Sequence, residues 1–316
     1  MTNTLRIVFM GTPDFAVGVL NSLIMAQYNV IGVITAPDRP AGRGRNLRAS
    51  PVKEVALAHN LNLLQPDNLK DSSFLNEIKA LNADVFVVVA FRMLPKVLWS
   101  IPCKGTFNLH ASLLPQYRGA APINWAIING ETKTGLTTFF IDDQIDTGAI
   151  IKTVSCPIEN NENASQLHDK LMELGMQLVK DTLDAIETDN ITGIPQQNST
   201  HLERAPKLKP ENTKINWDWP AEKINNLIRG LSSYPGAWTT LITDGHEAKV
   251  KIYQAQVTDH DSITAPGCIN SDQKTILVDT ANKQISIEFI QFPGKKKMST
   301  KDLLNGFRFD QTAKFV

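Results

Sequence analysis

The 316 residues balance 32 Lys and Arg against 32 Asp and Glu, with 42% hydrophobic and 20% charged side chains. That is the make-up of an ordinary soluble chain, long enough for two domains and a sizeable core. The longest strongly apolar run, Val85–Phe91, is far too short to span a bilayer as a helix, and no membrane partner is expected. The N-terminus reads straight into a strand and not into a cleavable leader. Cys103, Cys156 and Cys268 are scattered and form no CxxC pair. They suggest neither a disulfide framework nor a zinc site, no metal is implied, and a reducing cytoplasm fits.

Leu5–Met10 reads as a short buried strand, broken by Gly11-Thr12-Pro13. Phe15, Val19, Leu20 and Leu23 then open a helical period, and Val30–Thr35 is the next strand, so a right-handed parallel βαβ unit is expected. The first turn is not GxGxxG, which leaves a dinucleotide site poorly supported. Ala36–Ser50, APDRPAGRGRNLRAS, has no apolar period and reads as a loop. It carries Arg39, Arg43, Arg45 and Arg48, with Asp38 as its acidic residue. It is either a solvated basic loop or one that meets a polyanion, since arginine forks onto phosphate. Ser50-Pro51 caps and opens a helix, Leu75–Leu81 is another, and Val85–Ala90 has the continuous apolar character of a central parallel strand.

The informative stretch is Thr106–Gly148. On a strand at Phe107-Asn108-Leu109-His110, alternation puts Phe107 and Leu109 on one face and Asn108 and His110 on the other. The strand ends in the turn Ala111-Ser112-Leu113-Leu114-Pro115, and ligands of open α/β sheets sit beyond such carboxyl ends. A second strand, Thr137–Ile141, runs into Asp142-Asp143-Gln144-Ile145-Asp146-Thr147-Gly148. An amide can donate to a developing oxyanion, an imidazole can move a proton near neutral pH, and a carboxylate can orient it or take that proton. Spacing alone leaves equally open a polar strand end beside a solvated acidic loop.

Further on, Leu167, Leu171, Leu174 and Leu178, extended by Leu183 and Ile186, mark an amphipathic helix. Thr188–Pro210 is polar and proline-punctuated. This predicts residues 1–190 as one domain, 191–210 as a linker and 211–316 as a second domain. Short strands at roughly ten-residue spacing between Tyr234 and Ile290 suggest a small OB-like β-barrel. Lys295-Lys296-Lys297 after the last strand, with Lys207 and Lys209 in the linker, form either a solvated charge run or a phosphate-reading track.

Asn-x-His-x-Ser-Leu-Leu-Pro from Asn108, Tyr117-Arg118-Gly119-Ala120-Ala121-Pro122-Ile123 and Asp146-Thr147-Gly148 together resemble the folate-dependent formyltransferase superfamily. The resemblance covers essentially the whole chain. It implies a Rossmann-like parallel or mixed α/β sheet followed by the OB-like barrel. It implies Asn108, His110 and Asp146 as the catalytic trio, with Ser112, Leu113, Leu114 and Pro115 against a 10-formyltetrahydrofolate co-substrate. The Phe91-Arg92 segment departs from the family's aromatic-Gly pattern. The Arg39–Arg48 loop and the Gly-Lys-Lys-x-Met-Ser segment are similar to those of the methionyl-tRNA formyltransferases. They imply that Arg39, Arg43, Arg45, Arg48, Lys207, Lys209, Lys295, Lys296 and Lys297 contact initiator tRNA. No protein partner is implied and a monomer is expected. The rival readings are an amino-sugar or other small-amine formyltransferase, and a non-catalytic RNA-binding protein.

Overall fold

The computed structural model describes residues 4–41, 46–197 and 201–316. The apolar run Ile7–Gly11 forms strand β1, buried throughout, as a parallel strand covered on both faces must be. Helix α1 (Asp14–Met25) turns Phe15, Val19, Leu20 and Leu23 inward. There follow β2 (Val30–Ile34), β3 (Arg39–Ala41), β4 (Asn46–Arg48), α2 (Pro51–Ala58), β5 (Leu63–Leu64), α3 (Ser72–Ala80), β6 (Val85–Val89) and the single turn α4 (Lys96–Trp99). Then come β7 (Thr106–His110), β8 (Arg118–Gly119), α5 (Pro122–Ile128), β9 (Lys133–Phe140), β10 (Ile150–Pro157), α6 (Ala164–Glu187) and β11 (Arg204–Ala205). The expected start of α2 is observed: Ser50 Oγ accepts from the Lys53 N–H at 3.0 Å and Pro51 opens the helix.

The main sheet has the strand order β10-β9-β7-β6-β1-β2-β5. From β5 to β7 neighbouring strands run parallel, and β9 runs antiparallel to β7. The chain winds outward from β1 through β2 to β5, then resumes at β6 on the other side of β1. The switch point of the sheet therefore lies between β1 and β6. On one face Val8, Met10, Phe86 and Val88 pack with Phe74 and Ile78 of α3. Phe9, Phe86 and Phe107 are fully buried, each stabilising the fold by about 1.5–3 kcal/mol. A Cβ on Gly175 would stand 2.9 Å from Leu109 Cδ2, so the glycine lets α6 lie directly against β7.

The expected loop over Ala36–Ser50 has a strand-paired stem. Arg39 stands opposite Arg48 and Pro40 opposite Leu47 in an antiparallel pair. The pairing uses backbone groups, which need no side-chain period. Arg43 and Arg45 lie outside the described residues.

The chain divides into two compact units, neither continuous in sequence. Met1–Gly119, Gly135–Cys156 and His168–Arg204 form one; Ala120–Thr134, Pro157–Leu167 and Ala205–Val316 form the other. In the second unit, α7 (Ala221–Gly230) buries Ala221, Ile224, Leu227 and Ile228. It is followed by β12 (Ala237–Thr243), β13 (His246–Asp261), β14 (Ile269–Ser271), β15 (Ile276–Asp279), β16 (Lys283–Gln291), β17 (Met298–Ser299), α8 (Thr300–Leu304) and β18 (Lys314–Phe315). The strands form an antiparallel sheet in the order β14-β15-β16-β13-β12-β18, with β17 beside β16. A bridge between Cys268 and Lys314, and Ile269 N–H donating to Ala313 O at 3.1 Å, draw the outer strands together. The result is the nearly closed barrel expected of this half. Leu241, Val250 and Ile252 fill its interior. Trp217 stacks on Phe315 at 5.3 Å, and its indole N–H donates to Thr239 Oγ1 at 3.0 Å. Among the described residues no helix is long and apolar enough to cross a membrane.

Candidate active site

Strand β7 fixes the centre of the site. Asn108 pairs with Val88 on one side and Phe139 on the other, and His110 pairs with Thr137. His110 is 6% exposed. Its Nε2 lies 2.9 Å from the carbonyl oxygen of Tyr117, which can only accept, so Nε2 carries the hydrogen and donates. Nδ1 faces Asp146 Oδ2 at 3.7 Å, a separation that a movement of under about 1 Å would bring to hydrogen-bond length, about 2.7–3.2 Å. The edge of Phe139 flanks the ring at 6.5 Å. Asp146 Oδ2 also accepts from the Gly119 N–H at 2.9 Å. Asn108 is half-buried, and no side-chain hydrogen bond occupies its amide among the described residues. The structure thus brings His110 and Asp146 together and sets Asn108 two residues away on the same face of β7.

Tyr117 and Asp146, the groups around His110, both have left-handed backbones, with φ of 58° and 56°. Each such conformation costs a non-glycine residue on the order of 1–2 kcal/mol, and hydrogen bonds hold both. Tyr117 N–H donates to Glu203 O at 2.7 Å. Gln196 Nε2 donates to Asp146 O at 3.0 Å and to Gly148 O at 2.8 Å. Gly148 is obligatory, because a Cβ there would sit 1.7 Å from Phe140 O. The three carboxylates of this loop have separate tasks. Asp142 Oδ1 accepts from Gln144 N–H at 3.0 Å and Thr147 Oγ1 at 2.7 Å, shaping the turn. Asp143 pairs at the surface with Lys96 at 3.1 Å. Asp146 is the one that faces His110.

The Ser112–Pro115 turn is stapled to β9. Ser112 is fully buried and its hydroxyl donates to Gln116 O at 2.6 Å. Leu114 N–H donates to Thr137 Oγ1 at 3.1 Å, and that hydroxyl donates to Ser112 O at 2.7 Å. Leu113 and Pro115 stay half-exposed. Arg92, the departure from the family pattern, is also explained. Its Nη1 donates to Asp67 O at 2.9 Å and its Nη2 to Pro66 O, while its Nε is buried with no partner among the described residues. Burial holds its pKa below the usual arginine range. It ties the segment after β6 to the segment after β5, across the carboxyl ends of β1 and β2, which lie between those strands.

Sequence reasoning missed Gln196 and the Tyr117 carbonyl. Gln196 sits in a polar stretch without periodicity, and a carbonyl belongs to every residue. Neither carries a sequence signal.

The predicted basic residues lie on both units. Arg39 and Arg48 face each other across the β3–β4 stem, a like-charge pair that an anion would relieve. Asp38 offers them little relief: Lys53 at 2.7 Å and Gln65 at 2.9 Å occupy its oxygens and lower its pKa. On the barrel unit Lys207, Lys209, Lys295, Lys296 and Lys297 are exposed. Lys297 Nζ stands over the rings of Phe289 and Tyr253 at 4.8 and 5.1 Å. Two further pairings carry no signal in the sequence: Lys249 stands over Trp238 at 3.8 Å and Lys223 over Trp219 at 4.0 Å. Lysines interleaved with aromatic rings suit a nucleic-acid surface better than a plain charge run does.

Residues 5–183 match the family profile described as Formyl transferase, and residues 207–308 match that of Formyl transferase, C-terminal domain. The chain belongs to the formyl transferase family. This formyl transferase is similar to the methionyl-tRNA formyltransferase of Flavobacterium johnsoniae, 56% identical over 310 residues that cover 98% of each chain. It is 49% identical to that of Bacteroides fragilis over 315 residues, 98% of this chain and 97% of the other. Among solved structures, the sugar 3N-formyl transferase WlaRD, crystallised in the presence of dTDP and 5-N-formyl-THF, has a TM-score of 0.66 at 21% identity, covering 92% of this formyl transferase and 99% of WlaRD. HypX from Aquifex aeolicus in complex with tetrahydrofolic acid has a TM-score of 0.65 at 17% identity, over 97% of this chain and 48% of HypX. These two likenesses establish a common fold.

Proposed function

We propose that this protein transfers the formyl group of 10-formyltetrahydrofolate to the α-amine of methionyl initiator tRNA, acting as a cytoplasmic monomer. The observation that carries this reading is its likeness, over nearly the whole chain and both units, to proteins named methionyl-tRNA formyltransferase. The site supplies matching chemistry. A free α-amine titrates near pH ~8, and esterification of the carboxyl lowers that value, so a useful neutral fraction exists at neutral pH. The folate supplies a formyl carbon held by amide resonance to a nitrogen leaving group. As the amine bonds to that carbon, charge develops on the formyl oxygen, and the Asn108 amide donates to it. The amine must lose a proton and the departing N10 must gain one. Asp146 accepts the first, directly or across one water, and His110, fixed through Nε2 by Tyr117 O, relays a proton to N10.

Ser112, Leu113, Leu114 and Pro115 provide the surface for the pterin. Arg39, Arg43, Arg45 and Arg48 contact phosphates of the tRNA, as do Lys207, Lys209, Lys295, Lys296 and Lys297. A small amine acceptor would give the lysine–aromatic surface nothing to bind. The test is formyl transfer to methionyl initiator tRNA, with methionyl elongator tRNA and an amino-sugar nucleotide as parallel acceptors. Formylation of the initiator alone is expected. Formylation of the sugar alone would keep the trio and discard the tRNA; tight RNA binding with no transfer would discard the trio.

A further inference from the structure

Gln196 uses its full hydrogen-bonding capacity on the site. Its Oε1 accepts from Arg118 Nε at 3.1 Å and Nη2 at 2.6 Å. Its Nε2 offers one hydrogen each to Asp146 O and Gly148 O, at 3.0 and 2.8 Å. A guanidinium can only donate and a carbonyl can only accept, so both ends independently fix the orientation of the amide. The backbone beside it is anchored: Ile194 and Ile150 exchange hydrogen bonds in both directions, each at 2.8 Å. Ile150 begins β10 directly after the Asp146 turn, so the segment that carries Gln196 is pinned to the first residue of the strand that the turn feeds.

We infer that Gln196 is a positioning residue for the transfer: it clamps the turn that presents Asp146 to His110, and it braces that turn against Arg118. The inference rests on the formyl-transfer reading. Asp146 holds a left-handed backbone, and its carboxylate reaches both the Gly119 N–H and the imidazole. Both features depend on the direction of the Asp146 peptide, and Gln196 grips that peptide by its oxygen. The clamp requires an amide. A carboxylate at this position keeps the Arg118 fork and turns lone pairs onto two carbonyl oxygens; a methyl group keeps neither interaction.

Gln196→Glu and Gln196→Ala in the full chain separate these contributions. Both are expected to lower kcat for initiator-tRNA formylation by about 10–100-fold, the scale of loss seen when an outer partner that orients a metal ligand is removed. KM for both substrates should stay within about threefold of wild type. The Glu variant should be no better than the Ala variant although it retains the Arg118 fork. The Gly119 amide, whose hydrogen is held by Asp146, should exchange with solvent faster in both variants. Wild-type kcat in Gln196→Glu, or a loss confined to KM, overturns the inference. So does unchanged exchange at Gly119, whether or not formyl transfer is observed. Wild-type protein that transfers no formyl group overturns the functional reading alone.

Discussion

The surfaces proposed for catalysis and for tRNA recognition are built on opposite principles. Around His110 the groups are buried or half-buried and are held largely by the backbone: the Tyr117 carbonyl, the Gly119 N–H, and the peptide of Asp146 gripped by Gln196. On the barrel, lysines stand in solvent over aromatic rings, and no single interaction fixes the arrangement. Catalysis by position is therefore expected to fail at one substitution, and recognition by charge to weaken in steps.

Asn108→Ala should show the largest effect. Loss of one oxyanion donor lowers turnover by about 10²–10³. KM for the tRNA should hardly move, since Asn108 belongs to β7 of the sheet unit and the lysines belong to the barrel unit. A variant within a few-fold of wild-type kcat would remove Asn108 from the mechanism and break the contrast. Replacing Lys295, Lys296 and Lys297 together by Ala should do the reverse. Saturating kcat is expected to persist while KM for tRNA rises. The salt dependence of binding should flatten by about one unit of log–log slope for each phosphate left without its lysine. An unchanged slope would mean that the three lysines are only solvated.

The same division governs what was legible in the sequence. Strand β7 was legible because alternation is a property of letters: Asn108 and His110 had to share a face once Phe107 and Leu109 were buried. The acidic turn was legible from its Asp and Gly residues, and the barrel from its strand spacing. What joins these pieces was not. The Tyr117 carbonyl has no letter of its own, and Gln196 meets Asp146 from 50 positions away out of a stretch without period. Arg92 was visible as a departure from the family pattern, but its purpose, a tether to the Pro66 and Asp67 carbonyls, exists only in the folded chain. On the barrel the lysine run was legible as charge. Lys223 and Lys249 were not, because neither belongs to a run of consecutive lysines and each acquires its ring only when the barrel forms.

The smallest expected effect lies in the barrel's own stability. Asp310 accepts from Thr243 Oγ1 at 2.7 Å, from the Asp244 N–H, and from both the hydroxyl and the N–H of Thr312, and these bonds hold its pKa well below the usual carboxylate range. The unfolded chain therefore takes up this proton first. The stabilisation is complete above the unfolded pKa and is lost as the pH falls through the folded one. Asp310→Asn should lower the melting temperature near pH ~7, and the gap to wild type should narrow between about pH 4 and pH 2. A gap of constant size across that range would mean that the carboxylate's charge contributes nothing and that shape alone is lost. Formyl transfer at neutral pH should be unchanged in the variant at temperatures below its transition. The carboxylate closes the β12–β13 turn against the segment leading to β18, and none of its hydrogen bonds involves Asn108, His110 or Asp146.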